Sequence, residues 1–204
     1  MATSLTLEND SSLAQGYLKV NGSTAATLTT SGITGNLTGN VTGSLTAGGS
    51  LTLATAQTAS GTAVDFTGIP SWVKRITVMF NGVSTNATIR QLIQIGSGSI
   101  QTTGYSSGSR ETTTTGVSAI SNAGFIIESI SSVNLLFGHM MLTLISPNTY
   151  VSSHCFYFNQ TGNAFAIVGG GAVSLSGILD RIRITTVNGT DTFDAGTINI
   201  SYEG

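Results

Sequence analysis

The chain has 204 residues, of which only 8% are charged, and its formal net charge is −2 at pH 7. Globular domains usually have about a quarter of their residues charged, so bulk electrostatics would draw this chain neither to nucleic acid nor to an anionic membrane. The apolar fraction of 40% argues against disorder, and the abundance of Gly, Ser and Thr argues against helices. We therefore expect an all-β protein with a neutral, hydroxyl-rich surface.

The first predicted element is a four-residue repeat, ITGNLTGNVTGSLTAGG, that begins at Ile33. In a strand, its large apolar residues share one face with Gly or Ala, and the other face is wholly polar. Such a ribbon has no second layer to cover its apolar face, so it needs copies of itself. We therefore expect residues 1–56 to form an intertwined, trimeric β shaft, with a flexible Gly/Ser/Thr linker as the alternative. The apolar positions of the repeat are Ile33, Leu37, Val41 and Leu45.

Residues 57–204 predict a head domain of seven to nine antiparallel strands, arranged as a β-sandwich that resembles a jelly roll. The segment WVKRITVMF comes early and places Trp72, Ile76, Val78 and Phe80 on one face. The polar stretch GSGSIQTTGYSSGSRETTTTG follows the next predicted strand, RQLIQIG, and resembles a long loop.

A long hairpin is predicted in the middle of the head. The segment Asn134–Ile145 is apolar on both faces, which favours a strand buried on both sides. The turn Ser146–Thr149 contains a proline and leads into YVSSHCFYF, which returns as the second strand. The hairpin could bring His139 and His154 across from each other as packed residues, and we expect Cys155 to be buried as a small hydrophobe.

The few charged residues do not form a convincing catalytic or metal-binding motif. The segment NGTDTFDAG, with Asn188, Asp191 and Asp194, is better explained as a turn than as a glycosidase pair or a calcium loop. We therefore expect no catalytic residues, no metal and no cofactor. Four basic residues lie in predicted strands, where they should pair across chains or with acids such as Asp65 and Glu128. These four are Lys74, Arg75, Arg181 and Arg183.

Two segments carry a resemblance to a known family. The segments Ala63–Thr85 and Leu179–Glu203 resemble the C-terminal head domain of tail-fibre proteins of tailed bacteriophages. The resemblance implies a homotrimer at the tip of a fibre that recognises the host surface. Some fibre tips of this kind bind metal through His-x-His motifs, which this sequence lacks.

The sequence thus predicts a receptor-binding tail-fibre protein, made in the bacterial host cytoplasm and located in the virion. Its expected partners are two further copies of itself, a bacterial surface glycan or protein, and other tail or baseplate proteins through its N-terminus. Nucleic-acid binding and membrane insertion are not expected, and the start MATSLTLEND does not resemble a secretory signal.

Head loops are the expected receptor contacts. An aromatic ring with amide and charged neighbours suits sugar binding, although ordinary solvated loops have the same composition. The alternatives are a structural fibre or decoration protein without a receptor role and, third, a polysaccharide-degrading enzyme. The candidate ligand-binding residues are Tyr105, Arg110, Glu111, Asn159, Gln160 and Asn163.

Overall fold

The structure, a computed structural model, describes residues 5–10, 15–20, 23–29, 32–34, 51–112, 116–128, 132–160 and 163–204. Side chains are described from residue 51 onward, except those of Gln160, Asn163 and Ala164. Every regular element in these ranges is a strand in an antiparallel sheet, which confirms the predicted all-β class. The chain divides into an N-terminal unit, Met1–Ser44, and a C-terminal unit, Leu45–Gly204. This division falls earlier than the boundary that we placed after residue 56.

The described residues of the N-terminal unit form a meander of four strands. They are β1 (Leu5–Asp10), β2 (Gln15–Val20), β3 (Ser23–Thr29) and β4 (Gly32–Thr34). Each strand pairs with the next one in the same chain. Residues 35–50, which hold most of the four-residue repeat, lie outside the described residues, so the trimeric shaft stays a prediction.

The C-terminal unit contains the remaining strands, and many of them show the alternating burial of a sheet with one covered face. They are β5 (Thr52–Leu53), β6 (Gln57–Thr58), β7 (Ala63–Thr67), β8 (Arg75–Thr85), β9 (Gln91–Ser97), β10 (Ser99–Ile100), β11 (Ser106–Glu111), β12 (Ser118–Ser121), β13 (Phe125–Ile127), β14 (Leu135–Ser146), β15 (Thr149–Gln160), β16 (Asn163–Ser174), β17 (Arg181–Thr186) and β18 (Phe193–Glu203).

These strands form two sheets. The small sheet has the order β10-β9-β17-β7, with β13 also paired to β9. The large sheet has the order β12-β11-β16-β15-β14-β8-β18-β5, with β6 also paired to β18. The C-terminal unit has 14 described strands, β5 to β18, against the seven to nine that we predicted for the head. Short strands such as β5, β6 and β12 add to the number, and the polar stretch after β9 supplies β10 and β11 and is not one long loop.

Both sheets contribute to one hydrophobic core. Ile76, Val78 and Phe80 of β8 are buried on one face, as the alternation predicts. Trp72 lies before β8, is partly exposed and packs at 5.9 Å from the Tyr202 ring. Burying one such aliphatic or aromatic side chain stabilises a fold by about 1.5–3 kcal/mol. The small sheet supplies Phe66, Ile93, Ile95, Phe125, Ile182 and Ile184 to the same core.

The predicted hairpin of β14 and β15 is confirmed, with Ser146 opposite Thr149 across the turn. However, β14 is not buried on both sides. Met140 faces the core, whereas Met141 points to the outer face, where side chains are only partly covered. The reason is that a strand in an antiparallel sheet can leave one face without a covering layer.

Two further predictions about this hairpin are wrong. His139 lies opposite Cys155, and His154 lies opposite Met140, so the histidines occupy opposite faces of the sheet. His154 is buried and His139 is exposed. Cys155 shares the outer face with His139 and is exposed, not buried.

Candidate functional site

A groove of about 850 Å3 lies beside β11 and β12, at one edge of the large sheet. Two other depressions in the described surface have volumes of about 280 Å3 each. The groove is therefore the most spacious of these three candidate binding sites. Its lining residues are Tyr105, Ser106, Ser107, Gly108, Ile120, Ser121, Asn122, Ala123, Gly170, Gly171 and Val187.

The glycine tract of β16 explains why β11 can lie where it does. Gly169 and Gly171 pair with β11 so closely that a side chain would collide with it. A Cβ atom added at Gly171 would lie 2.5 Å from the backbone oxygen of Ser106, and one at Gly169 would overlap the backbone oxygen of Gly108. Bare backbone therefore forms this part of the sheet, as expected where two backbones approach closely.

Two of the polar side chains in the groove are already used by the fold. The hydroxyls of Ser107 and Ser121 each accept a backbone N–H at 3.0 Å. In contrast, Ser106 and Asn122 are exposed, and their side chains have no hydrogen-bond partner among the described residues. These two side chains are therefore available to a ligand, next to the exposed aliphatic side chain of Ile120.

The chemistry of the groove suits a neutral, hydroxyl-rich ligand. None of its lining residues is charged, so it offers nothing to compensate a bound phosphate or a divalent cation. A hydroxyl and an amide can both donate and accept hydrogen bonds, while Ile120 and Val187 add apolar contact. This combination of apolar surface with a few polar groups is typical of small-molecule and sugar sites.

Two of the residues predicted to bind a ligand are buried and do not lie on an exposed loop, although one of them, Tyr105, lines the groove. The Tyr105 ring contacts Phe125 edge-on at 5.0 Å, and its hydroxyl lies 2.8 Å from the backbone nitrogen of Ile95. Burial raises the pKa of Tyr105 to about 12. Glu111 is also buried, and burial raises the pKa of its carboxyl. Both belong to β11 or its approach, whose inward positions meet the core because β11 is a strand.

The other predicted residues do not lie together. Arg110 is exposed on β11, opposite Val168. Asn159 is exposed near the end of the β15–β16 hairpin, where Gln160 and Asn163 pair with each other. The side chains of Gln160 and Asn163 lie outside the described residues. Along β16, Asn163 is seven residues from Gly170, or roughly 23 Å at about 3.3 Å per residue, so the hairpin end and the groove are separate places.

Sequence reasoning missed a buried pair of polar side chains between the sheets. The hydroxyl of Ser109 on β11 lies 3.0 Å from Nε2 of His154 on β15. The same hydroxyl accepts the backbone N–H of Glu128 at 3.1 Å. Nδ1 is buried and has no hydrogen-bond partner among the described residues. Both side chains are buried on the inner face of the large sheet and neither lines the groove, so the pair is closed to a substrate in the groove.

This histidine makes the fold sensitive to acid. Burial lowers the pKa of His154 to about 4, whereas an unfolded chain titrates near 6.5. The stability from neutral His154 is fully present above pH 6.5, and it is lost as the pH falls toward 4, by up to about 3 kcal/mol.

Urea denaturation at pH 7 and pH 4.5 should therefore show a smaller pH dependence of the unfolding free energy for His154→Gln than for the unmodified protein. His139→Gln is the control, since His139 is exposed, and an equal pH dependence in both variants would contradict the assignment.

Ion pairs account for most of the described basic residues. Arg183 binds both carboxylate oxygens of Asp65 at 2.7–2.8 Å, which confirms the predicted pairing of Asp65 with a strand residue. Glu128 also forms an ion pair, but with Arg90, which the sequence did not single out. Asn188 accepts the backbone N–H groups of Thr190 and Asp191, as the turn prediction required.

Searches for other kinds of site gave negative results within the described part of the chain. No cluster of three or more His, Cys, Asp or Glu side chains there is arranged to hold a metal ion. No helix that could cross a membrane occurs in that part either. Comparison of the chain with family models, with curated proteins and with solved structures finds no significant match.

Proposed function

We propose that this chain is a receptor-binding tail-fibre protein of a tailed bacteriophage, which recognises a neutral glycan of the bacterial surface through the groove beside β11 and β12. In this proposal the C-terminal unit is a jelly-roll-like sandwich head. The protein is a homotrimer held by an N-terminal shaft, it resides in the virion, and its N-terminus contacts other tail or baseplate proteins.

The two segments that resemble phage fibre heads support this proposal by their place in the fold. Ala63–Thr85 contains β7 and β8, and Leu179–Glu203 contains β17 and β18. In the small sheet β17 pairs with β7, and in the large sheet β18 pairs with β8. The two resembling segments therefore pair with each other once in each sheet of the C-terminal unit.

The observation that carries the glycan assignment is the uncharged groove with the free side chains of Ser106 and Asn122. A single groove with two such groups would bind a sugar weakly. Several copies on one particle can raise the overall affinity by about 10²–10⁴ through effective concentration alone. Weak individual contacts are therefore compatible with firm attachment to a cell surface.

Replacing Asn122 tests the site directly. Loss of one hydrogen-bonding side chain should cost about 1.4 kcal/mol, which is roughly tenfold in affinity. We expect Asn122→Ala to weaken binding to an array of bacterial surface polysaccharides about tenfold, with unchanged thermal stability. Asn159→Ala is the matched control, because it removes the same exposed side chain at the end of the β15–β16 hairpin. If Asn159→Ala weakens polysaccharide binding and Asn122→Ala does not, the binding site lies at that hairpin and not in the groove.

Two other functions would give different results. A structural fibre or decoration protein needs no ligand, so exchanging the β11–β12 region between fibres would leave the host range unchanged. A polysaccharide-degrading enzyme would release new reducing ends from envelope polysaccharide. Such an enzyme canonically uses a pair of carboxylates at the scissile bond, and none of the residues that line the groove is an Asp or Glu, which favours binding over cleavage there.

A further inference from the structure

The outer face of the large sheet carries an uncharged row of residues from one edge to the other. The strand registers place these residues side by side on the face that points away from the core. Its ends are exposed apolar side chains, Leu53 at 64% and Ile120 at 89% exposure. From edge to edge, the row is Leu53, Ser201, Thr77, Met141, Ser153, Gly170, Gly108 and Ile120.

The neighbouring row extends this neutral surface. It contains Met79, His139, Cys155 and Val168 in register, and Arg110 is its one described charged residue. Tyr157 lies further along β15 and is 46% exposed. The strands β14 and β15 therefore form the centre of an outward face on which Cys155, Tyr157 and Val168 are exposed and Met79 and Met141 are partly covered.

The outer face of the small sheet differs sharply. Asp65 and Arg183 face each other there across β7 and β17, in an ion pair with two hydrogen bonds. Arg181 lies two residues before Arg183 on the same face and binds Asp180 at 2.8 Å. The outer face of the large sheet also carries one such pair, Arg75 with Glu203, on β8 and β18 beside the uncharged row. The strands β14 and β15 at its centre contain no Asp, Glu, Lys or Arg, which suits a protein interface better than the small sheet does.

We propose that the outer face of the large sheet, centred on β14 and β15, is the surface through which the C-terminal units of three copies of this chain associate. This inference rests on the homotrimer of the proposed function. It adds which face each copy presents and, with it, which residues become inaccessible on assembly.

Size and charge both favour another copy as the occupant. Eight neighbouring strands at about 4.8 Å span roughly 34 Å, enough for an interface of about 800 Å2 per partner. Arg110 near the β12 edge has no acidic partner among the described residues, and Asp194 on β18, near the opposite edge, has no basic one. A closed ring joins different edges of successive copies, so it can bring Arg110 of one copy toward Asp194 of the next.

Two exposed leucines lie at the β5 edge of this face. Leu51 is 67% exposed and Leu53 is 64% exposed. Gly108, Gly170 and Ile120 of the uncharged row also line the groove, so assembly would place each groove at a border between two copies.

The chain offers a built-in probe, because Cys155 is its only cysteine and lies on the proposed interface. In the full-length protein, we expect sedimentation to give the mass of three chains and a maleimide to label Cys155 at least tenfold more slowly than in urea. Ser153→Glu puts a charge at an exposed position in the middle of the neutral row. It should release monomers or fast-labelling units, whereas Ser99→Glu on the small sheet should change neither mass nor labelling.

Each alternative outcome has a definite meaning. A trimer whose Cys155 reacts as fast as in urea, with Ser153→Glu unchanged in mass, would overturn the interface and leave the homotrimer standing. A monomer at all concentrations would overturn the homotrimer and the interface together. Protection of Cys155 that appears only after adding bacterial polysaccharide would assign the face to the glycan and overturn self-association. Protection of Cys155 in the trimer supports the interface even if Ser153→Glu stays assembled.

Discussion

Arg90→Met is expected to lower the free energy of unfolding by about 3–5 kcal/mol, because it leaves the buried carboxylate of Glu128 without its ion-pair partner. Glu128 is only 1% exposed, and Nε of Arg90 lies 2.9 Å from both of its carboxylate oxygens. Glu111 lies near enough to Glu128 for the two carboxyls to repel each other. Without Arg90, therefore, no described basic side chain within ion-pair distance offsets the charge of Glu128.

A second ion pair in the same protein provides the control. Arg75 and Glu203 also lie 2.9 Å apart, but their side chains are 50% and 39% exposed. Water screens such a pair, so Arg75→Met should cost no more than about 1 kcal/mol. Urea denaturation followed by the fluorescence of the single tryptophan, Trp72, measures both variants. If the two substitutions lower the free energy of unfolding equally, the burial of Glu128 does not determine how much the Arg90–Glu128 ion pair stabilises the fold.

The parts of the fold that the sequence predicts are those encoded in neighbouring residues. Alternation places Ile76, Val78 and Phe80 on one face without reference to the rest of the chain, and Pro147 marks the turn of the central hairpin. Both features depend on local geometry. The trimeric shaft, the receptor and the virion location depend on other molecules, so they stay predictions.

The features that the sequence does not reveal depend on residues far apart in the chain. The polar segment SSGSRE forms strand β11 because it pairs with the glycine tract of β16. Tyr105 and Glu111 turn inward for the same reason, although their surroundings in sequence resemble an exposed loop. The pair of Ser109 and His154 spans 45 positions, and no short motif marks it.

Most of the candidate site was missed for a related reason, since Tyr105 is the one predicted ligand-binding residue that lines it. Its free side chains, Ser106 and Asn122, are ordinary loop residues in sequence, and the groove exists only because β11, β12 and β16 meet there. The one available signal was GGG at Gly169–Gly171 in an otherwise regular strand pattern. Glycine inside a strand often marks a close approach of another backbone, and here that backbone belongs to β11.

Gly169→Ala should be the most damaging single-methyl substitution in this part of the sheet, with a loss of about 3 kcal/mol or more. An added Cβ would overlap the backbone oxygen of Gly108 and lie 2.5 Å from Cε1 of the His154 ring. Overpacking usually costs about 1–3 kcal/mol, and here one of the colliding atoms is backbone, so β11 must move away from β16. Because β11 supplies part of the groove, glycan binding should fall together with stability.

Gly108→Ala is the matched control, since Gly108 belongs to the same strand pair and also lines the groove. A Cβ atom there would lie 3.6 Å from the backbone oxygen of Ala119, which is ordinary van der Waals contact. At about 2–4 °C per kcal/mol for a domain of this size, Gly169→Ala should lower the melting temperature by about 6–12 °C and Gly108→Ala by less than about 2 °C. If both variants have the same melting temperature as the unmodified protein, β11 does not pack on the glycine tract of β16. The groove would then lose its structural basis, because the close approach of these two backbones is what forms it.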